Sequence, residues 1–521
     1  MASGAVETVG FWQFAAQEPK RAAVVDVNGD TITAGSLLSL VNRLSHGLRA
    51  HGLAAGDAVA ALLPNRVEYI ALALATEQIG LRLVSLSCHL TAGELGHLLT
   101  DSGASVLVAD PACARAAGDA ADTGGIPPGS RFAPEASGTF RALADLADGE
   151  PDTLPDDRRA GQLMPYTSGT TGRPKGVSKP LFPVPPEPIL DFVGNALRER
   201  FGFARAEGVH LVTAPLHHAA PSGFALQLLH MGHTVVLMDR FDAAESLKII
   251  ERHRVSSTFV VPTMLHRWVA LSAAERSRYD MSSLHQVIHG GAPCPVATKH
   301  RVLDWLGPVV FELYSSSEGG FITAAPDEWL ARPGTVGRAT PDSVTVLDEE
   351  GRPCLPGETG LVYFRNSPVL PFEYHGDPER TAAAIRGDYF TVGDLGHIDA
   401  EGWLYIDDRR TDLIISGGVN LYPAEIEAVF LQHPAVSDAA VIGVPDQEWG
   451  QRAVALIEPW PEARYSEALA EELGSFARAR LAPFKVPRSI EFRSSLPRTP
   501  SGKLSRARLR AEYTGGVACY R

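Results

Sequence analysis

Cysteine is scarce in this chain: five residues in 521, at Cys88, Cys113, Cys294, Cys354 and Cys519, with no C-x-x-C pair. That spacing excludes a disulfide framework and a thiolate zinc site, and it fits a reducing compartment. Positive charge is also short. Lys and Arg number 47 against 61 Asp and Glu, a net charge of −14, which argues against nucleic acid or an anionic membrane as a general partner. The longest apolar runs, such as Tyr69–Ala75, are far too short to cross a bilayer. The opening MASGAVETVGFWQF has no basic stretch followed by an apolar run, so no signal peptide is visible and a cytoplasmic protein is expected. There is no repeat of fixed period. There is also no G-x-S-x-G, H-E-x-x-H or Walker loop, which leaves little for a serine hydrolase, a zinc protease or a P-loop NTPase.

At 521 residues the chain exceeds what one hydrophobic core supports, so two or more domains are expected. In the first hundred residues Ala22–Asp26, Ala58–Leu63, Val84–Leu86 and Ser105–Ala109 read as buried strands. Between them Ala34–His51, Val67–Ile79 and Ala92–Leu99 carry helical spacing. Strands alternating with helices imply a parallel α/β sheet covered on both faces. Residues 111–160, rich in Ala, Gly, Pro and Asp, read as a meandering or partly helical connection. SKPLFPVPPEPIL is too proline-rich for regular helix or central strand. A second alternating block runs from about Val209 to Gly320, with strands Leu211–Ala214, Thr234–Met238 and Ser257–Val261 and helices Gly223–Met231 and Ala243–Arg252. Residues 334–408 change to short strands with Gly-Asp, Asp-Glu and Glu-Gly turns, a small β-rich subdomain. A helix is expected to start near Pro423, opening a small α+β unit whose basic end, Arg464 to Arg510, carries eleven Lys and Arg. That run fits either a solvated surface or a site for a polyanionic ligand.

One string concentrates chemistry. Tyr166 to Val177 reads YTSGTTGRPKGV, with three glycines, four aliphatic hydroxyls and one lysine in twelve positions. Glycines let the backbone approach a ligand closely, and successive N–H groups in such a turn form an anion-binding concavity. With Lys175 adding a compact positive charge, the string describes a phosphate loop rather than a flexible surface segment. Four further segments are weaker alone. Lys503, in LPRTPSGKLSR, is a surface lysine or one that a shaped turn delivers into a cleft. Glu318, in FELYSSSEGG, is a turn glutamate or a Mg²⁺ ligand, since Mg²⁺ binds phosphate substrates through one or two carboxylates and waters. HGGAP, His289 to Pro293, offers backbone groups and a flat surface to a purine. Asp394, in FTVGDLG, could take ribose hydroxyls as acidic residues do in other nucleotide sites. His217 and His218, in APLHHAAP, have no carboxylate at metal-ligand spacing and fit a structural pair at a strand end.

Taken in order, these motifs resemble the adenylate-forming enzymes: acyl-CoA and aryl-CoA synthetases, adenylation domains of peptide synthetases, and firefly-type luciferases. The resemblance runs over nearly the whole length. It implies a large N-terminal AMP-binding domain of two α/β subdomains plus a small β-rich subdomain (1–408), a hinge (409–412) and a small mobile α+β C-terminal domain (413–521). It implies two half-reactions, in which a carboxylate attacks the α-phosphate of ATP to give an acyl-adenylate and a thiol then displaces AMP. Substrates would be a carboxylic acid, ATP and CoA, with Mg²⁺ as cofactor, and a homodimer is open.

By the same resemblance, Thr167, Ser168, Gly169, Thr170, Thr171, Gly172 and Lys175 would grip the phosphates, with Thr170 and Glu318 near Mg²⁺. Gly291, Ala292 and Pro293 would face adenine and Tyr314 would stack on it. Ser317 would contact phosphate, and Asp394 and Arg409 would hold the ribose. Lys503 would bridge the substrate carboxylate and the α-phosphate, an electrostatic role. Ser416, Gly417 and Gly418 would line a tunnel for the pantetheine arm, and the basic C-terminal surface would suit CoA phosphates. His217, His218, Gly290 and Ser315 would shape the acyl pocket. Three positions depart from the family pattern: Ser315 replaces a glycine, Thr411 replaces a hinge Asp or Lys, and His217 replaces an aromatic. VPTMLHRWVALS, RYDMSSL, HGGAPCP, DEWLARPGTVG and FEYHGDPERTAAA look like the ligases of bulky acids, similar to bile-acid and steroid-type enzymes. The expectation is therefore an AMP-forming acid–CoA ligase for a bulky, cyclic acid. An enzyme running only the thioester half-reaction on a preformed adenylate, and a non-catalytic binder of acyl-adenylate or acyl-CoA, stay open as alternatives.

Overall fold

Short, wholly apolar runs build two parallel sheets. In the computed structural model, which describes residues 10–167, 174–340, 342–409, 412–416, 419–446, 449–463, 465–481, 483–498 and 504–514, Ala58–Leu62 is buried at all five positions. It sits between Arg82–Ser85 and Ala104–Ala109, both parallel to it, in a six-stranded sheet. Runs buried on both faces are what a parallel sheet demands. One intervening helix is capped at both ends. Thr91 and Glu94 form a capping box at the start of Ala92–Ser102, and Gly103, at φ 61°, ends it.

The second sheet has eight strands, in the spatial order Phe321–Ala324, Val310–Ser315, Gln286–Gly290, Ser257–Val260, Val209–Val212, Thr234–Leu237, Ala22–Val25, Thr31–Thr33. The strand expected at Ala22–Asp26 forms over Ala22–Val25; it pairs antiparallel with the next strand in sequence, Thr31–Thr33, and on its other edge joins this second sheet by pairing Val24 with Val235. Helices Val67–Gln78 and Ala219–His230 are apolar nearly all round and buried accordingly. They lie in a core cluster shared by both sheets. There the Tyr69 hydroxyl reaches Ser85 Oγ at 2.7 Å and Ser222 Oγ at 3.0 Å, tying one sheet to the other. Each large aliphatic side chain buried in this core is worth about 1.5–3 kcal/mol.

Three local expectations need correction. Residues 111–160 are partly helical as expected, with helices Ala114–Thr123 and Leu143–Ala147, but strands Arg131–Ala133 and Arg141–Ala142, not foreseen, extend the six-stranded sheet. The buried face of the first helix is all alanine (Ala117, Ala120, Ala121), which gives little hydropathy contrast, and the strands are too short to show alternation. The proline-rich piece ends inside a helix, Glu187–Phe201, with Pro188 in its first turn, where no intrahelical N–H bond is lost. Helix Ala219–His230 starts four residues before the expected Gly223, and Pro221 in its first turn is tolerated for the same reason.

Residues 337–409 form a seven-stranded antiparallel sheet, the expected β-rich subdomain. Beyond it a small unit builds on Val436–Asp446, Gly450–Pro459 and Ser489–Phe492, with helices Pro423–Phe430, Glu467–Arg478 and Arg506–Thr514 around it. Pro423 opens its helix as expected. The four cysteines among the described residues are free, and none of the described helices is long and apolar enough to cross a membrane.

Candidate active site

The two ends of the glycine-rich string are fixed by sheet pairing. Thr167 lies opposite Lys175, and Tyr166 opposite Gly176, in an antiparallel pair. The intervening Ser168, Gly169, Thr170, Thr171 and Gly172 lie outside the described residues. Thr167 Oγ1 is buried without a hydrogen-bond partner, a donor left over for something not supplied by the protein. The strand Lys175–Ser178 continues against Glu373–Tyr374, with Val177 opposite Tyr374.

That pairing assembles a charged cluster. Glu318 is 5% exposed. Its Oε1 accepts from the Tyr374 hydroxyl at 2.8 Å and lies 3.3 Å from Lys175 Nζ. Lys175 Nζ also sits 3.5 Å from the centroid of the Tyr374 ring, a cation–π contact. Burial lowers the pKa of the neighbouring Lys179, and Glu318 opposes that shift. Burial and Glu318 together push the Tyr374 hydroxyl upward, which keeps it a donor. The turn that carries Glu318 is closed by Ser316, whose Oγ donates to the Gly319 carbonyl at 2.7 Å. Gly320, at φ +69°, has no room for a Cβ, which would stand 2.5 Å from the Phe364 ring.

A second cluster lies against Phe364. Tyr314 stacks on Phe364 with ring centroids 5.1 Å apart, and its hydroxyl donates to Asp394 Oδ2 at 2.7 Å. Asp394 is 4% exposed and pairs across the antiparallel sheet with Arg409. The two residues expected at the ribose are thus direct cross-strand neighbours, although the Arg409 side chain lies outside the description. Gly290 and Gly291 end the strand beside Val310–Ser315, with Gly290 opposite Leu313. A Cβ on Gly290 would stand 2.4 Å from the Leu313 carbonyl oxygen, and Gly291 takes φ +83°. Backbone therefore approaches backbone where Ala292 and Pro293 leave the sheet.

Phe364 touches both groups, through Tyr314 of the tyrosine–aspartate pair and Gly320 of the turn that carries Glu318, and known proteins supply a family for this arrangement. Residues 11–371 match the AMP-binding enzyme family, and residues 425–503 match the AMP-binding enzyme C-terminal domain. The chain belongs to the AMP-binding enzyme family. It is 36% identical to a feruloyl-CoA synthase of Amycolatopsis sp over 94% of this chain and 96% of that one. Among solved structures it is similar to an amide bond synthetase from Marinactinospora thermotolerans, with TM-score 0.82, 29% identity, and 96% of this chain and 99% of that one covered. It is also similar to the o-succinylbenzoate CoA synthetase of Bacillus subtilis in complex with an acyl-adenylate intermediate. There the TM-score is 0.79 at 29% identity, with 96% and 98% covered.

Within this AMP-binding fold the remaining expected residues fall as follows. Ser315 is exposed at the strand end opposite Phe321, and Ser317 is half-buried in the turn before Glu318. His217 and His218 lie against each other, tilted by 49°, between strand Val209–Val212 and helix Ala219–His230, with ring centroids 4.2 Å apart. Burial, with His89 nearby, pushes His217 down to about 4, so it is neutral at physiological pH, and its Nε2 has no hydrogen-bond partner. Ser416 pairs with Val419 in a hairpin, while Thr411, Gly417, Gly418 and Lys503 lie outside the described residues. The basic C-terminal run is not a uniform polyanion surface. Lys485, Arg493, Arg498, Arg506 and Arg510 are held in ion pairs with Glu425, Glu491, Asp438, Glu427 and Asp412. Sequence reading missed Tyr374 and Lys179. FEYHGDPERTAAA carries the family resemblance but does not single out its tyrosine, and only the pairing with Lys175–Ser178 brings Tyr374 to Glu318.

Proposed function

We propose that this protein is an AMP-forming acid–CoA ligase that converts a bulky cyclic carboxylic acid to its CoA thioester through an acyl-adenylate. The observation that carries the reading is the buried Glu318 with Lys175 beside it, linked through Phe364 to the Tyr314–Asp394 pair. The feruloyl and o-succinylbenzoate specificities of the relatives favour an aromatic or cyclic acid.

Adenine would lie between Gly291–Pro293 and Tyr314, with Asp394 and Arg409 on the ribose. Tyr314 is already oriented by its bond to Asp394, so the site spends little ordering energy when nucleotide arrives. Lys175 rests on Glu318 in the free protein. Incoming phosphates would compete for its ammonium, and Thr167 Oγ1 supplies a further donor. Glu318 is a fitting Mg²⁺ ligand because it is a buried carboxylate beside Lys175, at the end of the glycine-rich string. One carboxylate plus substrate phosphates and waters is the usual Mg²⁺ arrangement. The metal, with Thr170 as a second protein ligand, would neutralise charge on the β- and γ-phosphates. Lys503 would then stabilise the anionic charge shared by the acid and the α-phosphate. The acid's oxygen forms a bond to the α-phosphorus as the bond to pyrophosphate breaks. In the second half the CoA sulfur forms a bond to the acyl carbon as the bond to AMP breaks.

Residues 409–412 would serve as the hinge between domains 1–408 and 413–521, letting Lys503 withdraw and Ser416–Gly418 face the cleft for the thiol. The test is purified protein with Mg·ATP, CoA and a panel of aromatic and alicyclic acids. AMP and acyl-CoA appearing together, with acid-dependent ATP–pyrophosphate exchange, is the expected result. Acyl-CoA formed from a synthetic adenylate without any exchange would assign only the thioester half, and no turnover of either kind would leave a binding protein.

A further inference from the structure

Inside the eight-stranded sheet, behind the nucleotide side, three ionisable side chains meet that no step above uses. Lys299, on helix Val296–Leu306, is fully buried. Its Nζ lies 2.8 Å from Glu312 Oε2 and 4.5 Å from the centroid of the Trp329 ring. The same carboxylate oxygen is 3.0 Å from Nε2 of His289, which is also fully buried. Burial would raise Glu312, but His289 and Lys299 outweigh it and hold the carboxyl at about 2. Burial lowers His289 and Glu312 opposes that shift; the ion pair of the unit is Lys299 with Glu312.

A buried ion pair is a poor device for stability alone, since well-packed apolar residues are often as stable or more so. Its effect here is geometric. His289 and Glu312 stand opposite each other in neighbouring parallel strands, and Gly290 stands opposite Leu313. One residue further out, the first strand becomes Gly291–Pro293 and the second presents Tyr314, which holds Asp394. Glu312 and Tyr314, two apart on a strand, point to the same face of the sheet. Lys299 anchors this pair of strands from the helix that begins three residues after Pro293.

We propose that Lys299, Glu312 and His289 form a positioning unit that fixes the spacing between Gly291–Pro293 and Tyr314, and so sets affinity for adenine nucleotide without touching it. The inference rests on the reading of those two segments as the adenine slot. Gly290 and Ser315, expected at the acyl pocket, lie on the same two strands, so the direct readout of the unit is AMP affinity measured without acid or thiol.

The experiment uses the full chain in two forms, Lys299→Met/Glu312→Gln, which removes both charges together, and His289→Gln, which keeps the ion pair. AMP affinity is measured by calorimetry, and KM for ATP by acid-dependent exchange. AMP binding is expected to weaken about tenfold, equivalent to about 1.4 kcal/mol. KM for ATP should rise in parallel, while kcat at saturating ATP and thioester formation from saturating preformed adenylate change less than about twofold, as for loss of uniform binding. A purely structural role would lower the melting temperature and leave the affinities of the surviving folded protein alone. Either variant, folded and binding AMP as tightly as the parent, overturns the proposal. A parent that binds AMP but shows no acid-dependent exchange removes the proposed activity and leaves this inference standing. A parent that does not bind AMP overturns both.

Discussion

Tyr374 illustrates how much of the site depends on single side chains that no motif announces. Its hydroxyl donates to Glu318 at 2.8 Å while its ring carries Lys175, so one residue orients both charges of the phosphate side. Tyr374→Phe removes only the donor. A hydrogen bond to a charged group contributes about 1.5–3 kcal/mol, and Glu318 is too buried for water to replace the donor freely. The expected outcome is a fall of about tenfold to a hundredfold in acid-dependent ATP–pyrophosphate exchange, with a higher Mg²⁺ concentration needed for half-maximal rate. Exchange at the parent rate across a Mg²⁺ titration would remove Tyr374 from the site. Glu318 and Lys175 were legible in the chain because each lies in a dense local string of glycines and hydroxyls. Tyr374 was not, because nothing in FEYHGDPERTAAA singles out its tyrosine until Val177 pairs with it. Lys299 and Glu312 were hidden for a different reason. A lysine in a helix and a glutamate in a strand read as solvated residues, and only the fold puts them face to face.

At the scale of elements, what local pattern encodes is the existence of a strand and what it omits is the partner. Ala58–Leu62 and Ser257–Val260 are legible as buried strands because every position is apolar or small and fully enclosed. Nothing in Ala22–Val25 tells that its neighbour is Thr234–Leu237, since the pairing is decided by which sheet the intervening helices leave open. The strand pair under the proposed adenine loop, Gly291–Pro293, shows a requirement that is local. Gly290 approaches the Leu313 carbonyl so closely that a Cβ would stand 2.4 Å from that oxygen. Gly290→Ala must push the two strands apart, at a cost of about 1–3 kcal/mol typical of overpacking. Urea denaturation should show that loss, together with weaker AMP binding in the folded variant. Gly93→Ala is the control: it sits in helix Ala92–Ser102 with nothing within 4 Å of the added Cβ, and alanine there should be neutral or stabilising by up to about 1 kcal/mol. If the two variants had the same stability, close approach at Gly290 would not be the reason for glycine there.

For the whole molecule the decisive feature is where the AMP-binding domain meets its C-terminal domain. His266, on helix Pro262–Ala270 of the first, stacks on Trp460, which follows strand Gly450–Pro459 of the second, with centroids 5.3 Å apart and an interplanar angle of 15°. Burial lowers His266 and keeps the ring neutral, so the contact is aromatic rather than ionic and does not depend on salt. The proposed mechanism needs the small domain to take two orientations, one for adenylation and one for thioester formation. A contact present in only one of them biases the balance between them. An aromatic pair contributes about 0.5–1.5 kcal/mol, so Trp460→Ala should shift the populations of the two orientations by about two- to tenfold. Trp460 is not among the residues proposed to touch either substrate. Of the two half-reactions, exchange of ATP with pyrophosphate and thioester formation from preformed adenylate, one should slow and the other should hold or quicken. The direction tells which orientation the stack belongs to. Equal slowing of both, or no change in either, would mean that the stack does not govern the domain balance, whatever its part in stability.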